Sequence, residues 1–220
     1  HAVHVEMRHP SKSGVNLFGK NISVVYLEND NKHGVDFCNS MAEGFASTLE
    51  KDYGTGEGSI GIYRMRASEG ADYSSKDSLF NLLMDTGSDV VFLMDTVRFG
   101  VMSVGGPSKV ASPSSPDSSY VSEGYLPFAM TLYCFDAMDK TETVNAFSDT
   151  SVAKPSVYSN GKDDSTNATL KAWRSLKDEG WNAGVQMAGA FKGQWKHEMY
   201  SILYYDSEKW YTALVKAEDF

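Results

Sequence analysis

The sequence predicts an α/β protein with three layers, in which helices cover both faces of a mixed β-sheet. Two observations in residues 21–100 carry this prediction. Three short runs there are rich in apolar residues, and an amphipathic helical pattern separates each run from the next. Strands buried on both faces are apolar throughout because crossover helices cover each face. The order strand, helix, strand, helix, strand is therefore typical of parallel strands joined by right-handed crossovers.

The three apolar runs are the predicted parallel strands, at residues 22–27, 59–65 and 89–94. Strands that are neighbours in sequence tend to be neighbours in a sheet. We therefore expect the first strand to lie between the other two or beside the second.

Two amphipathic helices connect these strands. Between residues 35 and 49 apolar side chains recur every three or four positions, which makes one stripe along a helix, and Gly54 follows as a C-terminal stop. The second helix begins after Ser74 or Ser75, either of which is a suitable N-cap, and ends at residues 86–87.

The sequence pattern in the middle of the chain predicts a loop followed by a hairpin. Residues 103–120 are rich in Ser, Pro and Gly and predict a mobile surface loop. Residues 125–137 alternate between apolar and polar side chains, and residues 142–148 return as the partner strand. We expect this hairpin to extend the sheet along one edge in the antiparallel sense, which completes a Rossmann-like domain at residues 1–160.

Residues 161–220 predict a helical extension of the tetratricopeptide-like kind, which is expected to be incomplete. An amphipathic stretch resumes near Ser165 and is interrupted at Gly180. Its apolar positions are Leu170, Trp173, Leu176, Trp181, Val185 and Ala188. A last helix at residues 207–220 mixes large and small apolar residues, as helical repeats do where a second helix approaches closely.

Composition restricts the partners. The net charge of −9 argues against nucleic acid, whose binding needs clustered Lys and Arg. The sequence contains no basic amphipathic helix of the kind that binds a membrane surface, and no apolar run long enough to span a bilayer. The first residues do not form a signal peptide. The two cysteines, Cys38 and Cys134, are predicted to be buried free thiols; a disulfide would need the first helix to pack directly over the strand that carries Cys134.

A metal site is one interpretation of three carboxylates at predicted strand ends. Glu28 and Asp30 follow the first strand, and Asp95 follows the third. Because ligands of open α/β sheets bind beyond the carboxyl ends of the strands, these side chains are candidate Mg²⁺ ligands of a receiver-like module. The alternative is that they are ordinary polar residues of exposed loops.

Other motifs predict no catalytic site and no cofactor. The glycine-rich run 54–58 follows a helix and opens a strand, the reverse of a phosphate-binding loop, and is interpreted as a turn. His1, His4 and His9 cluster at the start of the sequence, where metal binding and a frayed chain end are alternative interpretations. His33 and His197 have no partner at ligand spacing, and no protease, redox or hydrolase motif is present.

Aromatic residues are dense in the last third of the chain and have two interpretations. Large residues at helical spacing form a helical core, whereas exposed aromatics form protein interfaces or stack on sugars. We selected as interface candidates Trp195, Tyr204, Trp210, Ala213, Leu214 and Ala217.

Several of these segments together resemble a Bacteroidota-type lipoprotein family of unknown function, whose members join a Rossmann-like half to tetratricopeptide-like helices. The similarity lies in residues 21–25, in the helix through Phe45, in the block 180–184 and in four later residues. The later residues are Trp195, Tyr204, Trp210 and Ala213. The resemblance implies export, a lipid on a cysteine upstream of His1, and residence at the outer membrane. It implies no catalytic residue.

Bacteria of that group attach glycans to Ser or Thr within a short Asp-Ser/Thr-aliphatic pattern. Ser78 and Thr96 lie in such patterns, and Ser165 lies in a looser one. The resemblance therefore makes these three residues candidate glycosylation sites.

We accordingly expect a non-catalytic exported lipoprotein that acts as a protein-interaction or accessory subunit of an outer-membrane assembly. In this interpretation only the N-terminal lipid anchor touches the membrane. Two alternatives remain open from the sequence. One is a small-ligand or Mg²⁺-binding receiver-like module, and the other is a glycan-binding accessory lipoprotein.

Overall fold

The computed structural model describes residues 2–9, 11–54, 60–68, 70–110, 119–159, 167–201, 212 and 215–217. The chain divides into two compact units. One consists of His1–Asn16 and Phe191–Phe220, and the other of Leu17–Ala190. This division differs from the predicted boundary at residue 160, because the first residues of the chain belong with the last ones.

The described residues form strands and helices in the following chain order. The strands are β1 (Ala2–His9), β2 (Ile22–Leu27), β3 (Gly61–Met65), β4 (Val90–Met94), β5 (Arg98–Phe99), β6 (Ser103–Val104), β7 (Ser108–Val110), β8 (Ser119–Asp136), β9 (Asn145–Ala153), β10 (Ser156–Ser159) and β11 (Gln194–Ser201). The helices are α1 (Lys32–Tyr53), α2 (Lys76–Thr86), α3 (Ala168–Arg174) and α4 (Leu176–Ala188).

The larger unit holds a mixed sheet with the order β10-β8-β4-β2-β3. Strand β2 pairs in parallel with β3 on one side and β4 on the other, so the first of the two predicted positions, between the other strands, is the one observed. Strand β8 pairs antiparallel with β4 and then with β9, which confirms the predicted hairpin at the edge of the parallel strands. The sequence therefore predicted the mixed α/β sheet correctly.

Helices lie on both faces of this sheet. Every residue of β2 and of β4 is buried, as expected for strands covered on both sides. Leu79 and Leu83 of α2 pack on one face, against a cluster that includes Val91 and Leu93. On the other face Phe37 of α1 meets Phe128 of β8 edge to face, with ring centroids 5.1 Å apart.

Helices α1 and α2 both begin with a side-chain cap, and of the two only the cap of α2 was predicted. The side chain of Asn31 accepts a hydrogen bond from the backbone N–H of His33 at the start of α1. Ser75 accepts from the backbone N–H of Ser78 at the start of α2, and Gly87 ends that helix with a φ of 66°. Glycine is favoured in this left-handed conformation because glycine has no Cβ.

The segment predicted as a mobile loop contains strands. Residues 90–110 run along β8 as β4, β5, β6 and β7, and residues 111–118 lie outside the described residues. Each break inserts one extra residue on this side of the ladder, since Arg98 pairs with Ala129 but Ser103 pairs with Tyr125. Such bulges bend a strand and increase its twist. In residues 103–110 the Gly and Pro residues therefore mark interrupted pairing with β8, whereas the loop prediction for residues 111–118 stays a prediction.

The C-terminal third is not wholly helical. Residues 194–201 form strand β11, which pairs antiparallel with β1 over its whole length. Gly180 lies inside α4, and the break between α3 and α4 falls at Ser175. The predicted interruption at Gly180 was therefore wrong, and a helix cannot be assigned to residues 194–201.

Candidate functional site

The carboxyl ends of the parallel strands, where α/β sheets usually bind ligands, are occupied by internal ion pairs. The carboxylate of Glu28 lies 3.0 Å from Nε of Arg64 and 2.9 Å from Nε of Arg66. Both arginines belong to β3 or follow it, so they approach Glu28 from the neighbouring strand. The charge of Glu28 is therefore balanced by two protein cations.

The crevice between the ends of β2 and β4 is filled by Asn29. Its Nδ2 donates to the backbone carbonyl of Val97 at 2.7 Å, and its Oδ1 accepts from the backbone N–H of Asn31 at 2.9 Å. A Cβ on Gly34 would lie 2.6 Å from Asn29 Oδ1 and 2.9 Å from the ring of Phe99. The first turn of α1 thus packs directly on these two side chains.

The predicted magnesium ligands do not form a metal-binding group. Asp30 is exposed, and Asp95 accepts a hydrogen bond of 2.7 Å from the backbone N–H of Thr96. Within the described ranges no three or more His, Cys, Asp or Glu side chains are grouped so that they could hold a metal ion. Glu28 and Asp95 therefore make local contacts, and Asp30 is exposed.

Both cysteines are buried free thiols, as the sequence predicted. Burial raises the pKa of Cys38 to about 12, and burial likewise raises the pKa of Cys134, helped by the nearby carboxylate of Asp136. The thiolate is the reactive form of cysteine. Neither residue is therefore suited to nucleophilic catalysis at neutral pH.

The candidate glycosylation residues differ in their surroundings. The hydroxyl of Ser78 donates to the backbone carbonyl of Asp72 at 2.7 Å, and Ser78 is half-buried at the start of α2. Thr96 is also half-buried, and Ser165 lies outside the described residues. Glycosylation at these positions stays a prediction.

Helices α1 and α4 approach each other more closely than the sequence suggested. A Cβ on Gly180 would lie 2.4 Å from the backbone oxygen of Phe37, and a Cβ on Gly184 would lie 2.0 Å from that of Met41. Gly180 lies against Phe37, and four residues later Gly184 lies against Met41. The residue numbers rise in the same direction along both helices, so the helices run in parallel. The block 180–184 is therefore a backbone contact surface.

This contact confirms part of the predicted apolar face of α4 and corrects the rest. Its buried residues are Leu176, Gly180, Gly184 and Ala188, whereas Trp181 and Val185 are exposed. Leu170 of α3 is exposed as well. The predicted positions Leu176 and Ala188 are buried, whereas Trp181 and Val185 were wrongly placed, because two glycines occupy the middle of the contact side.

Strands β1 and β11 form a two-stranded antiparallel ribbon, which sequence analysis missed. In the register of the ribbon, His4 faces Met199 and Arg8 faces Trp195 on one side. The other side carries Val5, Met7 and Tyr200, since neighbouring residues of a strand point to opposite faces. The alternation of apolar residues at positions 3, 5 and 7 was the available signal for a strand.

Polar pairs cross the ribbon on both sides. His197 lies 3.0 Å from the carboxylate of Glu6, and His9 lies 2.6 Å from that of Glu198. The hydroxyl of Tyr200 donates to Glu198, which lowers the pKa of this carboxyl group. These contacts fix the register of the two strands. The N-terminal histidines that sequence analysis considered for metal capture include His9, which pairs with a carboxylate instead.

The predicted interface residues lie partly on this ribbon. Trp195 is 66% exposed, and Ala217, in a short helical segment, is also exposed. The remaining candidates, Tyr204, Trp210, Ala213 and Leu214, lie outside the described residues. The structure thus places one of the predicted aromatic anchors in an exposed position.

A shallow groove lies on the face of the sheet beyond the end of α2. Its volume is about 360 Å³. The residues that line it are Arg98, Gly100, Pro127, Phe128, Ala129, Thr150, Ser151 and Val152. Sequence analysis selected none of these residues, because they come together only through the pairing of β5, β8 and β9.

None of the described helices combines the length and the apolar character needed to cross a membrane. No family model matches the chain, and no curated protein matches it in sequence. The chain is similar to the solved structure of the hypothetical protein CT253 from Chlamydia trachomatis, at 11% identity and a TM-score of 0.35, over 77% of this chain and 96% of that one.

Two further solved structures show a similarity of the same order. One is a candidate homologue of a neuraminyllactose-binding hemagglutinin from Helicobacter pylori, at 11% identity and a TM-score of 0.30, over 82% of this chain and 96% of that one. The other is a candidate lipoprotein from Caulobacter crescentus CB15, at 12% identity and a TM-score of 0.29, over 77% of this chain and 88% of that one. Similarity at this level establishes neither a family nor a function.

Proposed function

We propose that the protein is a non-catalytic, exported accessory lipoprotein whose ribbon of β1 and β11 binds a protein partner in an outer-membrane assembly. One observation carries the proposal. The ribbon exposes apolar side chains on both of its faces, with Trp195 and Met199 on one side and Val5, Met7 and Tyr200 on the other.

Such a ribbon has a physical reason to bind a partner. A two-stranded sheet is marginally stable in water because it buries little apolar surface. Exposed aromatic and Met side chains in one patch are typical of protein interfaces, and buried Trp residues are frequent hot spots. Covering the Trp195 side would bury apolar surface that the ribbon leaves exposed.

Three features support a non-catalytic role. Asn29 fills the crevice where an α/β sheet would bind a ligand, Glu28 is balanced by two arginines, and both thiols are buried. These residues are used for packing and local hydrogen bonds, and they offer no nucleophile or general base at the strand ends.

Site-specific photo-crosslinking tests the partner. A crosslinking amino acid in place of Trp195 should trap one outer-membrane protein in native cells. The same amino acid in place of Tyr158, which is 68% exposed on β10, is the matched control and should not trap it. The purified partner should bind the Trp195→Ala variant at least about 30-fold more weakly than the wild type, as expected for loss of a hot spot of 2 kcal/mol or more. Equal affinity for both proteins would exclude the ribbon as the interface.

Lipid attachment is tested separately on the protein expressed from its own gene. We propose a lipid-modified cysteine upstream of His1, so the native protein should enter the detergent phase in a Triton X-114 partition. Its mass should exceed that of the polypeptide by a lipid. A native protein that stays in the aqueous phase without added mass would refute the anchor but leave the ribbon interface untouched.

A further inference from the structure

The face of the sheet that α2 covers is open beyond the end of that helix. This open face carries a groove that the proposed function does not use. Along β8, residues with even numbers from 122 to 134 are buried beneath α1 and the helices beside it, and the residues between them point to the opposite face. On that face Phe135 and Tyr133 belong to the cluster under α2. Farther along the same strand, Ala129 is half-buried and Pro127 is exposed, so the face opens where α2 ends.

The groove has a floor of small residues and walls of larger ones. Ala129 pairs with Arg98 of β5 on one side and with Thr150 of β9 on the other, so these three side chains form one row across the sheet. In the next row Pro127 pairs with Val152. A Cβ on Gly100 would lie 3.3 Å from the Pro127 ring, which shows how closely this turn approaches the floor.

Arg98 is the charged residue of the groove. Among the described residues its guanidinium group takes part in no ion pair or hydrogen bond. By contrast, Arg64 and Arg66 share the carboxylate of Glu28. The other lining residues are apolar or carry a hydroxyl group, so no lining carboxylate neutralises Arg98.

We propose that this groove binds a small ligand that bears a carboxylate. The guanidinium group of Arg98 receives the carboxylate through two parallel N–H···O bonds, the geometry that arginine favours. The hydroxyl group of Thr150, which shares the row of Ala129, binds a polar group at the far end of the ligand. Pro127 and Val152 contact its apolar part.

The dimensions limit the ligand to a small molecule or a chain end. Neighbouring strands lie about 4.8 Å apart, so the backbones that carry Arg98 and Thr150 are separated by roughly 10 Å across β8. This span matches a monosaccharide or a dipeptide. The volume of about 360 Å³ falls at the small end of ligand sites. A phosphate group is a poorer match, because one arginine in a protein of net charge −9 offers too little positive charge for a dianion.

Two sources share this chemistry, a sugar acid and the C-terminal carboxylate of a peptide, and paired probes distinguish them. Glucuronate is compared with glucose, and N-acetyl-alanyl-alanine is compared with its amide. Each is titrated into the protein while amide shifts of β5, β8 and β9 are followed by NMR. We expect saturable shifts from at least one carboxylate and at least tenfold weaker binding of its neutral counterpart.

Three variants locate the site. Arg98→Gln removes the charge and should weaken carboxylate binding at least tenfold. Ala129→Leu fills the floor and should weaken binding to a similar extent. Arg66→Gln, the matched control at an exposed arginine on the carboxyl edge, should leave binding unchanged. Thermal unfolding of each variant verifies the fold.

The outcomes decide the proposal. Binding of glucuronate alone supports a sugar acid as the source, and binding of the peptide carboxylate alone supports a chain end. The proposal is overturned if neither carboxylate binds better than its neutral counterpart. It is also overturned if folded Arg98→Gln binds like the wild type, or if Arg66→Gln loses binding to the same degree. The proposal does not rest on the ribbon interface, since the two sites share no residue.

Discussion

The two faces of the sheet differ in how they are covered. On one face α1 packs on the sheet and α4 packs on α1 through glycines, so backbone meets backbone. On the other face α2 covers β2, β4 and the end of β8, and the rest of β8 and β9 is open. Both faces bury apolar residues, but among the described residues only the open face has surface available for binding. Substitutions should therefore have large effects on the closed face and small effects on the uncovered part of the open face.

The largest difference is expected between two aromatic residues. Phe92 is fully buried on the closed face and meets Phe45 edge to face at 5.1 Å, so Phe92→Ala should lower the free energy of unfolding by about 3–5 kcal/mol. Tyr125 is 40% exposed on the open face, and Tyr125→Ala should cost roughly 1 kcal/mol or less. Urea unfolding of both variants measures the difference. Similar losses would contradict the division between the faces.

Glycine substitutions test the helix contact itself. Gly184→Ala places a Cβ 2.0 Å from the backbone oxygen of Met41, so α4 must move away from α1, at a cost of about 1–3 kcal/mol. Gly189→Ala is the matched control at the end of α4, where no atom lies within 4 Å of the added Cβ. It should be neutral or slightly stabilising, by up to about 1 kcal/mol. The idea of a glycine contact fails if Gly184→Ala is as stable as the control.

These comparisons also show what the sequence could reveal. Strands β2 and β4 were predicted because burial on both faces leaves an uninterrupted apolar signal. Helix α1 was predicted because its contact side is made of large apolar residues. The ends of the contact side of α4, Leu176 and Ala188, were predicted, but its middle was missed, because Gly180 and Gly184 carry no hydrophobic signal and a glycine also signals a break.

Pairing between distant segments was the other limit. The groove is formed by residues from 98 to 152, and only the register of three strands brings Arg98 and Thr150 into one row. The ribbon pairs residues 2–9 with residues 194–201, and short alternating segments do not specify their partner. Local patterns therefore predicted elements, whereas the candidate sites depend on contacts that no local pattern encodes.

The reactivity of the two cysteine thiols should depend on unfolding of the protein rather than on pH. Cys38 has its pKa raised from 9.0 to about 12, so its thiolate population near pH 8 is roughly a thousandfold below that of an unperturbed thiol. Ellman's reagent should label neither cysteine in the folded protein, and both should react in urea. Rapid labelling of the native protein would show that the closed face opens locally. The Phe92→Ala variant should label faster than the wild type, because it unfolds more often.

The smallest expected effect is a change in the pKa of Tyr125, which lies on the open face. The hydroxyl of Tyr125 donates to Glu123 at 2.9 Å, which raises the pKa of the phenol. The hydrogen bond is present below the ordinary tyrosine pKa and is lost as the pH rises through the raised one. Glu123→Gln should return the phenol to its usual range, as followed by NMR of the ring. An unchanged titration in this variant would show that the contact does not persist in solution.

The pairing of β1 with β11 has a consequence for synthesis. The two strands are separated by more than 180 residues, so the first strand leaves the ribosome long before its partner exists. Closing so long a loop is entropically costly and slow, and such distant pairings form late. Until then β1 presents unsatisfied backbone N–H and C=O groups to any chaperone or neighbouring strand. A partner that recognises the completed ribbon would thereby select full-length chains and ignore those truncated before residue 194.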